Sequence, residues 1–317
     1  MNRQSPSPTA GKSWGITCVL IASILWGTTG TAATFAPDVS PLAIGAAAMG
    51  LGGLLQMAIA LRQIRNDWTK LQAHLAYVLI GGAAVAVYPL AFYTSMHLAG
   101  VTIGTVITIG SAPLLSAVIE CLFDRKPLTQ RWAVGATLGL LGTVILCLAK
   151  SHGAAGAALG SDSTARSLFG ILLGLLAGVT YALYSWTAHR LIQNDISSGA
   201  AMGATFGFGG LLLLPVLLVT GAPLLASWAN AAVGLYMVLV PMGLGYVLFG
   251  KGLARIAAST ATTLSLIEPV VAALFAAVIV GEQLPLLGWI GAALIVSCLY
   301  VLVGSSPALS NQDMQRA

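Results

Sequence analysis

Glu268 is the residue whose type and position point most directly to chemistry. It lies in the middle of a long apolar segment and directly precedes Pro269. An ionisable side chain at such a depth is costly in a membrane, and it is a functional candidate by default. Pro269 lacks a backbone N–H, so a regular helix would leave the carbonyl of Ser265 without its donor. Two interpretations stay open: Glu268 exchanges a proton or binds substrate, or it bridges two helices.

A second carboxylate, Glu120, lies towards the end of another apolar segment. Asp124, Arg125 and Lys126 follow it closely. A side chain at this place can extend to the membrane surface or pair with its basic neighbours. Anchoring is therefore the favoured interpretation of Glu120, and a role in a gate or cavity is the alternative.

Aromatic residues inside apolar segments are the candidates for substrate contact. Tyr181 and Tyr184 are three residues apart and share one face of a helix. An aromatic ring with a polar group suits an amphipathic organic solute. The candidates of this kind are Trp26, Tyr88, Tyr93, Tyr181, Tyr184 and Tyr246.

Other polar and aromatic residues have a structural explanation close at hand. Ser111 is a candidate for the site, although a hydroxyl inside a helix commonly bonds to its own backbone. The tryptophans that flank apolar segments are typical of an interfacial belt. They are Trp14, Trp68, Trp132 and Trp228. Glycines repeated every four residues, as at Gly170, Gly174 and Gly178, favour close packing of helices, and a sliding surface for a rocking motion is the alternative.

Signatures of enzymes and of metal sites are not found in the sequence. It has no HExxH, GxSxG or P-loop motif, and its four histidines are isolated. The four cysteines lie in apolar runs without metal-ligand spacing. We therefore expect no enzymatic activity, no catalytic or metal-binding residues and no cofactor. Since no nucleotide-binding domain is present, energy for any transport must come from a gradient or from exchange.

The composition places the protein in a membrane. Apolar residues make up 57% of the 317 residues and charged residues only 7%, against roughly 25% charged in soluble proteins. Lys and Arg are scattered, which argues against nucleic-acid binding. Segments of about 17–25 apolar residues can each span a bilayer. Ten spans are predicted, near 14–36, 41–61, 74–98, 101–122, 132–149, 168–189, 198–220, 231–250, 259–280 and 285–304.

The distribution of basic residues predicts the orientation. With the amino terminus in the cytoplasm, twelve of the 14 Lys and Arg residues fall on the cytoplasmic side. Only Lys150 and Arg166 fall on the other side. This asymmetry follows the positive-inside rule. It predicts a multi-pass plasma membrane protein, of the bacterial inner membrane type, with both termini cytoplasmic.

The chain divides into two similar halves. Residues 14–150 and 168–304 are the predicted five-helix halves, with an external flexible linker at 151–167 and disordered cytoplasmic tails at 1–13 and 305–317. At an offset of 155 residues Trp26 aligns with Tyr181, and at 156 Pro113 aligns with Pro269. Five spans per half reverse the direction of the second copy. The expected fold is all-α, with ten transmembrane helices as two inverted five-helix repeats around a central cavity.

Three segments resemble a known family. The closing segment at 267–304, IEPVVAALFAAVIVGEQLPLLGWIGAALIVSCLYVLVG, is similar to the signature of EamA-type transporters of the drug/metabolite transporter superfamily. The first-half counterpart covers 111–146, and the opening ILWGTTG at 24–30 resembles the first helix of that family. The sequence departs from the family pattern at Arg125-Lys126, where Gly-Glu is frequent, and at Met49, where many members have Arg. The resemblance implies two inverted EamA units and usually an exporter of metabolites, amino acids or drugs.

Together these features predict a secondary transporter of small amphipathic solutes, working by alternating access. An amino-acid-like or drug-like solute is favoured, since no Lys or Arg lies well inside a span to bind an anion. Export, as the direction of transport, is implied only by the resemblance to the family. The expected partners are a small-molecule substrate, the lipid bilayer and, as an option, a proton, in a monomer or homodimer. Three alternatives are an intramembrane enzyme, a flippase for a lipid-linked sugar and an ion channel.

Overall fold

Residues 8–125, 127–151, 161–281 and 285–303 are described in a computed structural model of the protein. Within these ranges the regular structure is entirely helical. Seven helices are regular or have one break: α1 (Pro8–Gly27, continued by Thr29–Ala33), α2 (Pro41–Ile59), α3 (Leu75–Ala99), α4 (Val101–Asp124), α5 (Gln130–Ser151), α6 (Ser161–Gln193) and α7 (Ser198–Thr220). Two short helices, Leu61–Asn66 and Trp68–Ala73, connect α2 with α3.

The last three helices complete the bundle. They are α8 (Trp228–Met237, a π-helical turn at Val238–Leu244, then Gly245–Leu253), α9 (Ala258–Leu264, a 3₁₀ turn at Ser265–Ile267, Glu268–Phe275, then a π-helical turn at Ala276–Val280) and α10 (Leu286–Val303). All ten are long and apolar enough to cross a membrane, counted over the described residues. The number and order of the predicted spans are confirmed.

Short local signals set the helix ends. The hydroxyl of Ser40 accepts a hydrogen bond from the Ala43 N–H at 3.2 Å, and Pro41 occupies the first turn of α2. Ser197 and Ser227 cap α7 and α8 in the same way. Gly100 joins α3 to α4 with φ of +92°, a conformation that favours glycine. Such tight connections make consecutive helices antiparallel.

Helix pairs at equivalent positions of the two halves pack against each other. These pairs are α2 with α7, α4 with α9 and α5 with α10, while α6 packs on both α3 and α4. Glycines make the close approaches. A Cβ at Gly53 would lie 2.2 Å from the Phe206 carbonyl oxygen, and one at Gly178 would lie 2.1 Å from the Ser111 hydroxyl. The predicted packing role of the glycine faces is confirmed.

The predicted tails and linker need correction where they are described. Helix α1 begins at Pro8 and α6 at Ser161, so 8–13 and 161–167 are helical. Polar residues at these places leave the hydrocarbon, but they continue the helix by one or two turns, and a proline in the first turn is compatible with that. Residues 1–7, 152–160 and 304–317, which hold the rest of the predicted tails and linker, lie outside the described residues.

Candidate functional site

A cavity of about 550 Å³ lies between α1, α3 and α9. It extends to the connection between α1 and α2, where Pro37 and Val39 line it. We name this side of the protein the linker face. The opposite side, which carries Arg62, Arg65, Lys70, Arg190 and Lys251, is named the basic face. Most of the lining is apolar, and the ionisable side chains among its described residues are Glu268, Tyr93 and Cys147.

A smaller cavity of about 60 Å³ continues the first one inward. Trp26, Thr29, Phe92, Tyr93 and Glu268 line both cavities. The structure thus brings together seven of the nine side chains that the sequence proposed for the site. They are Trp26, Tyr88, Tyr93, Tyr181, Tyr184, Tyr246 and Glu268.

Aromatic rings close the inner cavity towards the basic face. The ring centroids of Trp26 and Tyr246 are 4.8 Å apart, and those of Phe206 and Tyr246 are 4.3 Å apart. Tyr181 and Tyr184 stack at 5.2 Å, and the Tyr184 and Tyr246 hydroxyls share a hydrogen bond of 3.0 Å. All five are buried. This layer comes from α1, α6, α7 and α8, so both halves contribute to it.

Glu268 lies at the break in α9. The Glu268 N–H donates to the Ser265 carbonyl through the 3₁₀ turn, so the carbonyl expected to lose its donor has one. The Tyr181 hydroxyl donates to the Ser265 hydroxyl at 2.8 Å. In the part of the chain that the structure describes, the Glu268 carboxylate has no hydrogen-bond or ion-pair partner. The bridging interpretation is therefore not supported by a contact, and the carboxylate is available to a ligand in the cavity.

The π-helical turn of α8 is held by two side chains from the first half. Trp26 donates from Nε1 to the Pro241 carbonyl at 2.9 Å. Gln56 donates from Nε2 to the carbonyls of Met242 and Gly243 at 3.0 and 2.5 Å. A π-helical turn disturbs the regular helical hydrogen bonds, and these side chains satisfy carbonyls there. The wall that carries Tyr246 is fixed in this way.

Two predicted site residues lie outside the cavity lining. Glu120 neither extends to the surface nor pairs with a basic neighbour: it is buried and accepts hydrogen bonds from the Ala258 N–H at 2.9 Å and from the Ser259 hydroxyl. The first amides of α9 have no helical acceptor, which is why a buried carboxylate is stable there. Ser111 packs against Gly178, and its hydroxyl donates to the Thr108 carbonyl at 3.4 Å.

Contacts at the basic face join the two halves. Asp124 of α4 forms an ion pair of 3.2 Å with Arg190 of α6, and the Trp186 indole donates to Asp124 at 3.1 Å.

Trp132, predicted to belong to the interfacial belt, is buried, and its Nε1 donates to Thr263 at 3.1 Å. The prediction was wrong for Trp132, because its indole N–H has a polar partner on α9 and the ring is buried there. The other three tryptophans, Trp14, Trp68 and Trp228, are exposed.

Sequence reasoning missed three contributors to the site. Phe92 and Met237 line both cavities, and Gln56 supports the wall. Phe92 follows Tyr88 by four residues, and the two rings stack 5.7 Å apart, so helical spacing was a usable signal. Met237 and Gln56 carried no comparable signal, since their roles depend on contacts between distant helices.

A model of the EamA-like transporter family matches residues 13–148 and again residues 168–304. The chain belongs to the EamA-like transporter family. It therefore contains the family's domain twice, and it is a multi-pass membrane transporter and not an enzyme.

Relatives and a solved structure agree with this family membership. The chain is 32% identical to the uncharacterized transporter YwfM of Bacillus subtilis over 90% of this chain and 92% of that protein. It is 24% identical to a probable terminal-alkyne amino-acid exporter of Streptantibioticus cattleyicolor, over 86% and 91% of the two chains. It is 27% identical to the threonine/homoserine exporter RhtA of Salmonella typhimurium, over 62% and 64%. A crystal structure 21% identical shares the fold, with a TM-score of 0.71 over 92% of this chain and 96% of that one.

Proposed function

We propose that this EamA-like protein is a secondary transporter that exports small amphipathic metabolites by alternating access. The solutes are amino-acid-like or drug-like, and the membrane is the bacterial inner membrane. The basic face is cytoplasmic, as are both termini, because the positive-inside rule places clustered Lys and Arg there. The cavity that reaches the linker face then corresponds to a state open to the outside.

The lining of the cavity is the observation that carries the proposal. A volume of about 550 Å³ falls within the usual range for small-molecule sites, roughly 300–1,000 Å³. No Lys, Arg or His is among the described lining residues of the two central cavities. A strongly anionic solute would leave its charge unpaired there. Aromatic and aliphatic walls with one carboxylate suit a neutral, zwitterionic or cationic amphipathic solute.

Alternating access is supported by the arrangement of the halves. Two copies of a family domain with five spans each would enter the membrane in opposite directions, and such inverted repeats place the substrate site at their interface. The aromatic layer and the ion pair between Asp124 and Arg190 close the basic face in this state. Rocking of one half against the other would break these contacts and form an equivalent closure at the linker face.

Export of amino-acid-like solutes is supported by the names of two relatives. One is named as an exporter of threonine and homoserine, and the other as an exporter of an amino acid. Both relatives are less than 30% identical to this chain. We therefore propose only the class of solute that their names give, and not the particular compounds. Glu268 is the residue through which a proton would be coupled, since it is the cavity carboxylate without a partner among the described residues. We take a monomer or a homodimer as the unit of transport.

Counterflow in proteoliposomes tests this proposal. Vesicles loaded with an unlabelled solute would be assayed for uptake of the same labelled solute, over a panel of amino acids and organic cations, with and without a pH gradient. Exchange of at least one such solute above the level of empty liposomes is expected. Absence of exchange for the whole panel, together with scrambling of labelled lipid, would overturn the proposal in favour of a flippase.

A further inference from the structure

We infer that the cavity selects its solute by a protonated amino group, and that it prefers an amine without a free carboxylate over the corresponding amino acid. This inference rests on the proposed transport function and sharpens its substrate class. The reason lies in which hydrogen-bond donors and acceptors of the cavity wall already have a partner within the protein and which do not.

One strong hydrogen-bond acceptor in the cavity wall is free to bind a solute. The Glu268 carboxylate lines both cavities and has no partner among the described residues. An ionised carboxylate offers only acceptors, for about four hydrogen bonds. A primary ammonium group offers three donors and no acceptor, so it is complementary to this carboxylate in both charge and hydrogen bonding.

Several hydrogen-bond donors of the cavity wall are already used within the protein. Trp26 donates from Nε1 to the Pro241 carbonyl, and the Tyr181 hydroxyl donates to Ser265. The hydroxyls of Thr29 and Thr34 donate to backbone carbonyls of their own helix turn, both at 2.7 Å. Each hydroxyl has one hydrogen to donate. These three hydroxyls can therefore still accept hydrogen bonds from a solute, but neither they nor the Trp26 indole, which is a donor only, can donate to the carboxylate of a solute.

The rings around Glu268 add to the preference for a cation. Phe92 and Tyr93 line both cavities beside it, with ring centroids 5.3 Å apart, and Trp26 lies on the other wall. The face of an aromatic ring attracts a cation and repels an anion. A free carboxylate on the solute would meet these rings and only neutral donors, such as the hydroxyls of Thr31, Tyr88 and Tyr93, and no described basic side chain would pair with it.

Three ligands with the same phenyl group test the inference on the purified full-length protein. They are 2-phenylethylamine, L-phenylalanine and 3-phenylpropanoate, which at pH 7.5 are a cation, a zwitterion and an anion. Affinities would be measured by calorimetry in lipid nanodiscs. The amine is expected to bind about tenfold or more tightly than phenylalanine, since charge-assisted hydrogen bonds differ from unpaired groups by at least this much. Binding of the anion should be undetectable.

Charge-neutral variants identify the group responsible. Glu268→Gln should lower the affinity for the amine about tenfold or more and remove its advantage over phenylalanine. Asp38→Asn removes an exposed carboxylate in the α1–α2 connection at the mouth of the same cavity and should preserve the order of the three ligands. If Glu268→Gln does not fold, the affinities of the unaltered protein for the three ligands still test the inferred preference for an amine.

Several outcomes would overturn the inference, and they differ from a failure of the proposed function. Phenylalanine binding as tightly as the amine, measurable binding of 3-phenylpropanoate, or no binding of the amine would each contradict it. Counterflow of any other solute would leave the transport function standing in those cases. Loss of counterflow for every solute would remove the transport function itself.

Discussion

The carboxylate of Glu120 binds the beginning of the helix that carries Glu268. It accepts a hydrogen bond of 2.9 Å from the Ala258 N–H and a second from the Ser259 hydroxyl. Ala258 begins α9, and Glu268 lies ten residues further along the same helix. Glu120 belongs to the first half and Glu268 to the second. The contact that Glu120 makes at the basic face therefore anchors the helix that positions Glu268 in the cavity.

Glu120→Ala is expected to destabilise the protein by about 2 kcal/mol, because α9 loses a cap and the Ser259 hydroxyl loses its partner. Glu120→Gln keeps an oxygen that can accept from the Ala258 N–H and should be destabilised less. Thermal unfolding of the two variants in detergent checks this order. Equal melting temperatures for Glu120→Ala and the unaltered protein would show that the cap is energetically unimportant.

Gln56→Leu is expected to lower stability by about 1–3 kcal/mol, because it removes the side-chain donor to the carbonyls of Met242 and Gly243. Since these carbonyls belong to the π-helical turn before Tyr246, substrate affinity should fall as well. Unfolding and ligand binding would be measured together, with Gln72→Leu, at an exposed position, as the control. Unchanged stability in Gln56→Leu would contradict the assigned role.

Gly53→Ala tests the contact between α2 and α7. The new Cβ would lie 2.2 Å from the Phe206 carbonyl oxygen, and backbone cannot move aside without separating the helices. A loss of about 1–3 kcal/mol is expected. Gly11→Ala, in α1, meets nothing within 4 Å and should leave stability unchanged or raise it by up to about 1 kcal/mol. Similar melting temperatures for the two variants would refute the predicted packing.

Much of this architecture was predictable from the sequence, and the reasons differ between features. Runs of apolar residues located ten spans because the bilayer imposes their length. Pro269 marked the place where α9 departs from a regular helix. The partners of Glu120 and Gln56 lie 138 and 186 residues away, and no local pattern encodes such pairs. Glu120 was therefore expected to extend to the membrane surface or to pair with Arg125 or Lys126 beside it, and the capping of a distant helix was missed.

Acid should remove a stabilising contact at the basic face. The Ser197 hydroxyl and N–H donate to the Asp67 carboxylate at 2.6 and 2.9 Å, and the hydroxyl contributes most to holding the pKa of Asp67 below its usual range. A lowered pKa in the folded state adds stability above the unfolded value of about 3.9. This stability is lost as the pH falls through the folded value.

Asp67→Asn measures that contribution. The variant should melt below the unaltered protein at neutral pH, and the two curves should converge as the pH falls below about 4. Thermal unfolding between pH 3 and 7 provides the comparison. A gap between the two proteins that grows towards acid pH would contradict the sign of the effect.

Counterflow by Glu268→Gln tests the central claim most directly, namely that solutes pass through the cavity at Glu268. The unaltered protein and the variant would be reconstituted in equal amounts, after equal melting temperatures have shown that both are folded. For a solute that the unaltered protein exchanges, the variant is expected to show exchange close to that of empty liposomes, or exchange that no longer responds to a pH gradient. Full exchange with an unchanged pH response in Glu268→Gln would contradict the account.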